Sequence, residues 1–271
     1  MKIPEVLRGK MKLDNTISAI ITGAASGLGA ETARALAAKG VKVGVLDLNE
    51  EMGQQVASEV GGTFAKCDVT NEASVDDALA RVRGVHGQER ILVNCAGIAA
   101  GMRIVQKDRA TGAASAHDIA LFAKIVQVNL IGTFTVIAKC AAGMVSLEPM
   151  GEDGERGVII STASIAAEDG QIGQVAYSAS KGGVQSMTLP IARDLAKDGV
   201  RVAAILPGLF HTPMFDKLPE EARQALAASV PFPSRLGRPE EYAQLAVDIC
   251  QNVILNGVNI RLDGALRLAP R

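Results

Sequence analysis

Apolar residues along the chain fall into two alternating kinds of run. Short β-branched-rich runs read as strands: SAIITG (18–23), VKVGVLDL (41–48), TFAKCDV (63–69), ILVNCAG (91–97), GVIIST (157–162), VRVAAILPG (200–208) and VNIRLDG (258–264). Several are apolar without interruption, the pattern of strands covered on both faces of a parallel sheet. Between them, longer Ala-rich stretches with helical spacing predict helices near 27–39, 50–59, 72–86, 117–145, 176–198, 218–229 and 239–252. This alternation predicts an α/β fold, a doubly wound parallel sheet of about seven strands with helices on both faces. No Pro/Gly/Ser-rich linker or charge block divides 1–271, so one domain is expected. Residues 1–12 read as an extension, 99–116 and 148–157 as surface loops or short insertions, and 209–236 as a segment covering a site.

Composition narrows the function classes. The chain is 48% hydrophobic, ample for a large core, and its formal net charge of −1 gives no reason to expect nucleic acid or an anionic membrane as partner. Cys67, Cys95, Cys140 and Cys250 are scattered, without metal-ligand spacing or a dense disulfide pattern, and fit a reducing compartment. The three histidines, His86, His117 and His211, lack clustered acidic or cysteine partners, so no metal site is predicted. No uninterrupted apolar stretch is long enough to span a bilayer, and the N-terminus lacks the apolar core of a signal peptide. A soluble intracellular protein is expected.

IITGAASGLGAETARALAAKG reads as strand, glycine-rich turn and helix. Gly23, Gly27 and Gly29 are spaced G-x-x-x-G-x-G; absent side chains let the backbone approach a pyrophosphate resting on the helix N-terminus. Ser26 and Leu28 lie in the same loop, and Ser26 adds a hydroxyl donor. The next strand ends in Asp47, where a carboxylate accepts hydrogen bonds from ribose hydroxyls and repels a 2′-phosphate. With no Arg or Lys in 22–29 or directly after Asp47, the expected cofactor is NAD, not NADP. Ligands sit beyond the carboxyl ends of strands in such sheets. Asp68 and Val69 are therefore expected near the adenine, and Asn94, Cys95, Ala96 and Gly97 near the riboses.

The fifth strand runs into STAS, and AYSASKGGV (176–184) then interrupts a helical pattern with poor helix formers. Tyr177 and Lys181 are four apart and share a helix face. An ammonium beside a phenol favours the phenolate, so the pair predicts a lowered tyrosine pKa and proton exchange with an alcohol or carbonyl oxygen. Ser164, from the strand end, is expected to hold the same oxygen. Met214 is a candidate for lining an apolar substrate pocket.

TGAASGLG, Asp47, CDV, NCAG, VNLIGTF, Ser164, YSASK and the Pro207-Gly208 pair followed by Thr212 together resemble the short-chain dehydrogenase/reductase family over nearly the whole chain. The resemblance implies a proton relay in which Asn129 holds a water against Lys181, and a Lys181 bond to the nicotinamide ribose. It places Pro207, Gly208, Phe210 and Thr212 over the nicotinamide. A narrower likeness, in NCAGIA, IARDLA, VPFPSRLG, EYA and NGVNIRLDGA, is to the short-chain type of 3-hydroxyacyl-CoA dehydrogenase, also described as a multifunctional hydroxysteroid dehydrogenase. It implies oxidation of 3-hydroxyacyl-CoA or 2-methyl-3-hydroxyacyl-CoA with NAD. It also implies an acyl-CoA partner, and the family resemblance implies a homotetramer built on the helices near 117–145 and 176–198 and on C-terminal strand contacts. The expected location is the cytoplasm, or the mitochondrial matrix in a eukaryote. His211 stands where the pattern has glycine; with Ser164, Gln171 and Met214 it is a candidate substrate contact. A steroid or other hydroxy substrate, 3-oxoacyl carrier reduction, and a non-catalytic nucleotide-binding scaffold remain as alternatives.

Overall fold

The computed structural model describes residues 11–212 and 219–270. Seven parallel strands form the central sheet: β1 (Ser18–Thr22), β2 (Lys42–Asp47), β3 (Thr63–Lys66), β4 (Ile91–Asn94), β7 (Gly157–Thr162), β8 (Val200–Pro207) and β9 (Val258–Leu262). Their order is β3-β2-β1-β4-β7-β8-β9, so the chain reverses direction of travel across the sheet between β3 and β4. Register carries Ala19 beside Val43 on one side and Ile91 on the other.

The uninterrupted apolar strands follow from cover on both faces, because successive strand side chains point to opposite sides. Ala19, Ile21, Val43 and Val45 pack with α1 (Gly27–Ala37), α2 (Glu50–Glu59) and α8 (Pro239–Gln251). Ile20, Leu46, Leu92 and Ile159 pack on the other face with α3 (Glu72–His86) and α5 (Thr133–Met144). There α6 (Val175–Asp194) packs against β8, and α4 (Ile119–Val126) against α6. A short helix, α7 (Glu220–Ala228), follows residues 213–218, which lie outside the described residues, as do 1–10.

Three local features depart from the sequence expectation. The 99–116 stretch contains a two-stranded antiparallel hairpin, β5 (Val105–Lys107) and β6 (Ala114–Ala116). Its strands are three residues each and exposed on both faces, so no hydrophobic alternation marks them. The helix expected at 117–145 contains a π-helical turn, Gln127–Gly132, between α4 and α5. The continuous run Ile119–Met144 is, contrary to expectation, long and apolar enough to cross a membrane by length and composition, and its most apolar 18-residue stretch is 28% buried. Lys124, Gln127 and Asn129 interrupt its sequence without interrupting the helix.

Candidate active site

Beyond β1 the backbone turns at Gly23 (φ +65°) into α1. A Cβ on Gly23 would stand 2.6 Å from the Ala96 amide nitrogen, and one on Gly29 2.4 Å from the Gly23 carbonyl oxygen. Only glycine lets this loop press against both the end of β4 and its own helix. Ser26 is the N-cap of α1, but its side chain makes no capping bond, and the first turn holds no acidic residue. The opening amides of the helix therefore face outward at its positive end, an arrangement suited to a phosphate. Ser26, Gly27, Leu28 and Gly29 form one wall of a cleft of about 730 Å³ that runs along the carboxyl ends of the strands.

The strand ends complete that cleft. At the end of β2, Asp47 accepts the Ala25 amide on Oδ2 at 3.0 Å and the Asn49 amide on Oδ1 at 2.9 Å. The carboxylate is thus fixed to the glycine loop, and lone pairs remain for further donors. Asp68 and Val69 follow β3, and Cys95, Ala96 and Gly97 follow β4; all line the cleft. Asp68 commits Oδ1 to Thr70. Pro207, Gly208, Phe210 and Thr212 close the far end.

Ser164, Tyr177 and Lys181 meet at that end. Ser164 caps a 3₁₀ turn after β7: its Oγ accepts the Ala166 amide at 3.1 Å, which leaves the hydroxyl proton to be donated into the cleft. Its hydrogen bond with the Tyr177 phenol works to lower the phenol's pKa. The expectation of a phenol held low by its lysine is not met. Burial pushes Tyr177 above its ordinary value and outweighs the Ser164 bond. Lys181 Nζ lies 5.9 Å from the ring centroid and donates instead to the Thr162 carbonyl oxygen at 2.7 Å. Desolvation brings the Lys181 ammonium down to about 8.

Four predicted residues do not line the cleft. Asn129, in the π-helical turn, is fully buried behind it. Its Oδ1 accepts the Ile98 amide, while Nδ2 donates to the Ile98 carbonyl and to Ser180 Oγ. The side chain clamps the segment after β4 and keeps one lone pair of Oδ1 to spare. Asn94 lies under the floor, donating to Ser161 Oγ at 3.5 Å. Gln171 is turned toward the C-terminal segment, donating to the Ala269 carbonyl. His211 is exposed, and its amide bonds the Gly237 carbonyl. Met214 falls outside the described residues.

Sequence reasoning missed Ser180 and Thr162. Ser180 Oγ accepts from Asn129 and donates to the Tyr177 carbonyl at 2.7 Å, tying the π-helical turn to α6. Thr162 supplies the carbonyl under Lys181. Gly183, unexplained in the sequence, lets α6 approach Leu130, whose Cδ2 would stand 2.7 Å from an added Cβ.

Comparison with known proteins agrees with this architecture. Residues 18–223 match the sequence model of the family described as short chain dehydrogenase. The 3-hydroxyacyl-CoA dehydrogenase type-2 of Homo sapiens is 50% identical over 254 residues, covering 93% of this chain and 95% of that protein. The Drosophila melanogaster protein of the same name is 47% identical over 260 residues, covering 95% and 100%. A crystal structure of 3-hydroxyacyl-CoA dehydrogenase type-2 from Mycobacterium avium matches at a TM-score of 0.90 and 41% identity, covering 96% of this chain and 100% of that one.

Proposed function

The chain belongs to the short-chain dehydrogenase/reductase family, and from that premise we propose that it oxidises 3-hydroxyacyl-CoA thioesters to 3-oxoacyl-CoA with NAD. The observation that carries the reading is one cleft with Asp47 at one end and Ser164, Tyr177 and Lys181 at the other. The glycine cradle and the uncapped start of α1 fit the pyrophosphate of a nicotinamide dinucleotide. NAD over NADP rests on Asp47, whose carboxylate, anchored by two amides, would face a 2′-phosphate with like charge. The acyl-CoA substrate rests on the proteins of that name at about half identity.

When bound, the nicotinamide supplies the hydride acceptor. The residues of this chain handle the proton. Ser164 donates its hydroxyl proton to the substrate oxygen, holding the reacting carbon in place. Tyr177 takes the proton from that oxygen in oxidation and returns it in reduction. Lys181, held by the Thr162 carbonyl, places a positive charge beside the phenol and favours its ionised form once the phenol begins to lose its proton.

Ile119, Ile131 and Phe134 on the α4–α5 rod and Val175 and Leu189 on α6 are exposed, which supports burial of this face against further copies in a homotetramer; light scattering tests it. For the main reading, NAD and NADP are compared across a 3-hydroxyacyl-CoA chain-length series with a steroid alcohol as control. Activity confined to NAD and the thioesters is expected. Turnover of the steroid alone, or only with NADP, would overturn it.

A further inference from the structure

Tyr242, the second of the two tyrosines, sits on α8 with no exposed surface. A phenylalanine would fill the same volume without needing a hydrogen-bond partner, whereas a buried phenol needs one. The Tyr242 hydroxyl reaches the end of β7 and lies 2.6 Å from Thr162 Oγ1. Thr162 has one hydroxyl proton to give. Asn94 O, at 2.7 Å, can only accept it, and Cys95 Sγ lies farther off at 3.5 Å. With that proton on the Asn94 carbonyl, Thr162 Oγ1 accepts from the Tyr242 hydroxyl. The Tyr242 oxygen then accepts the Cys95 thiol, whose sulfur is 3.7 Å away. This assignment gives every donor in the chain Cys95, Tyr242, Thr162, Asn94 one acceptor.

Thr162 is also the residue whose main-chain oxygen holds Lys181 Nζ. We propose that Tyr242 is a positioning residue for the reaction, its hydroxyl acting through Thr162 to fix the carbonyl that seats the Lys181 ammonium. The proposal rests on the role given to Lys181 above. The titratable groups facing Lys181 are Tyr177 from its own helix, Cys95 from the end of β4 and, behind Thr162, Tyr242 from α8. Burial raises all three and keeps them neutral near pH 7. The proton affinity of Lys181 therefore depends on how well the Thr162 carbonyl is aimed, and that aim is what the Tyr242 hydroxyl holds.

The test is Tyr242→Phe, which keeps the ring in the core. The turnover number for 3-hydroxybutyryl-CoA should fall roughly tenfold with KM moved far less. The basic limb of the pH profile of kcat/KM should move by about half a unit, a threefold change in the ratio of protonation states. Thr162→Val should reproduce both effects and Thr162→Ser should reverse them. The Tyr242→Phe and Thr162→Val effects should not add. Val247→Ala, in the same helix and core but outside the chain of bonds, should lower Tm and leave the limb in place. A Tyr242→Phe enzyme with lowered Tm but wild-type turnover and limb would overturn the proposal. Failure of the substrate assignment is told apart by urea unfolding without cofactor or substrate. There the rise in stability contributed by Lys181 above pH 8 should still move in Tyr242→Phe, and an unmoved rise would count against the role of Tyr242 alone.

Discussion

Lys181 Nζ is bonded to the carbonyl oxygen of Thr162 at 2.7 Å, at the junction where β7 delivers the chain toward Ser164. The lysine is therefore anchored to the sheet, not to the tyrosine one turn earlier on its own helix. Burial acts on both members of the Tyr177–Lys181 pair in the same sense, toward the uncharged form. Attraction between phenolate and ammonium is available only when both are charged, so desolvation wins.

A directional pH dependence follows. With Tyr177 raised, the phenol is neutral near pH 7, ready to donate in reduction but not to accept in oxidation. The kcat/KM for alcohol oxidation should rise about tenfold per pH unit through the alkaline side of neutrality until its limb is reached, while ketone reduction should not rise. Parallel pH profiles in the two directions check this; a flat oxidation profile between pH 6 and 9 would count against Tyr177 as the titrating base.

Lys181 should be visible in stability as well. Its folded value of about 8 lies below the ordinary 10.5, so the unfolded chain binds more protons between these values and stability rises with pH across that window. Below pH 8 both states are protonated and the full burial penalty is present. The stability of Lys181→Met relative to the wild type should accordingly be greatest near pH 7. That advantage should shrink by up to about 3 kcal/mol as the pH approaches 10.5, measured by urea unfolding without cofactor.

Asp47→Asn tests the cofactor assignment. The substitution keeps one oxygen for the Ala25 or Asn49 amide and removes the charge. The Kd for NAD should rise about ten- to a hundredfold, with NADP affected less, so that the preference narrows. Calorimetric titration with both dinucleotides reads the ratio, and an unchanged ratio would show that Asp47 does not set it.

Ser180→Ala should destabilise the fold by about 1–3 kcal/mol, because the buried Nδ2 of Asn129 loses one of its two acceptors. Turnover should fall less than on loss of the Tyr177 hydroxyl, since Ser180 acts on the turn behind the cleft. Chemical unfolding and turnover on the same preparation check both statements.

What was legible in the sequence is what local spacing controls. Continuous apolar strands announced a sheet covered on both faces, and the i, i+4 relation put Tyr177 and Lys181 on one side of α6. The glycine loop was legible because Gly23 and Gly29 answer a steric demand that no other residue meets. The partners of Lys181 and Asn129 were not legible. Thr162 reaches Lys181 and Ser180 reaches Asn129 across the fold, Tyr242 reaches Thr162 in turn, and nothing in their sequence neighbourhoods marks those contacts. The π-helical turn at Gln127–Gly132 was hidden for a related reason: adding one residue to a turn barely disturbs the apolar spacing around it. The predicted direction of the Tyr177 shift failed because sequence supplies the neighbour's charge but not the depth at which both groups are buried.

The central claim is tested most directly by following formation of reduced nicotinamide when NAD and 3-hydroxybutyryl-CoA are added to the wild type and to Tyr177→Phe. The wild type should turn over, and the variant should bind NAD with little change while its kcat falls by about 10² to 10⁴. No turnover by the wild type across the thioester series, or equal turnover by the variant, would contradict the account.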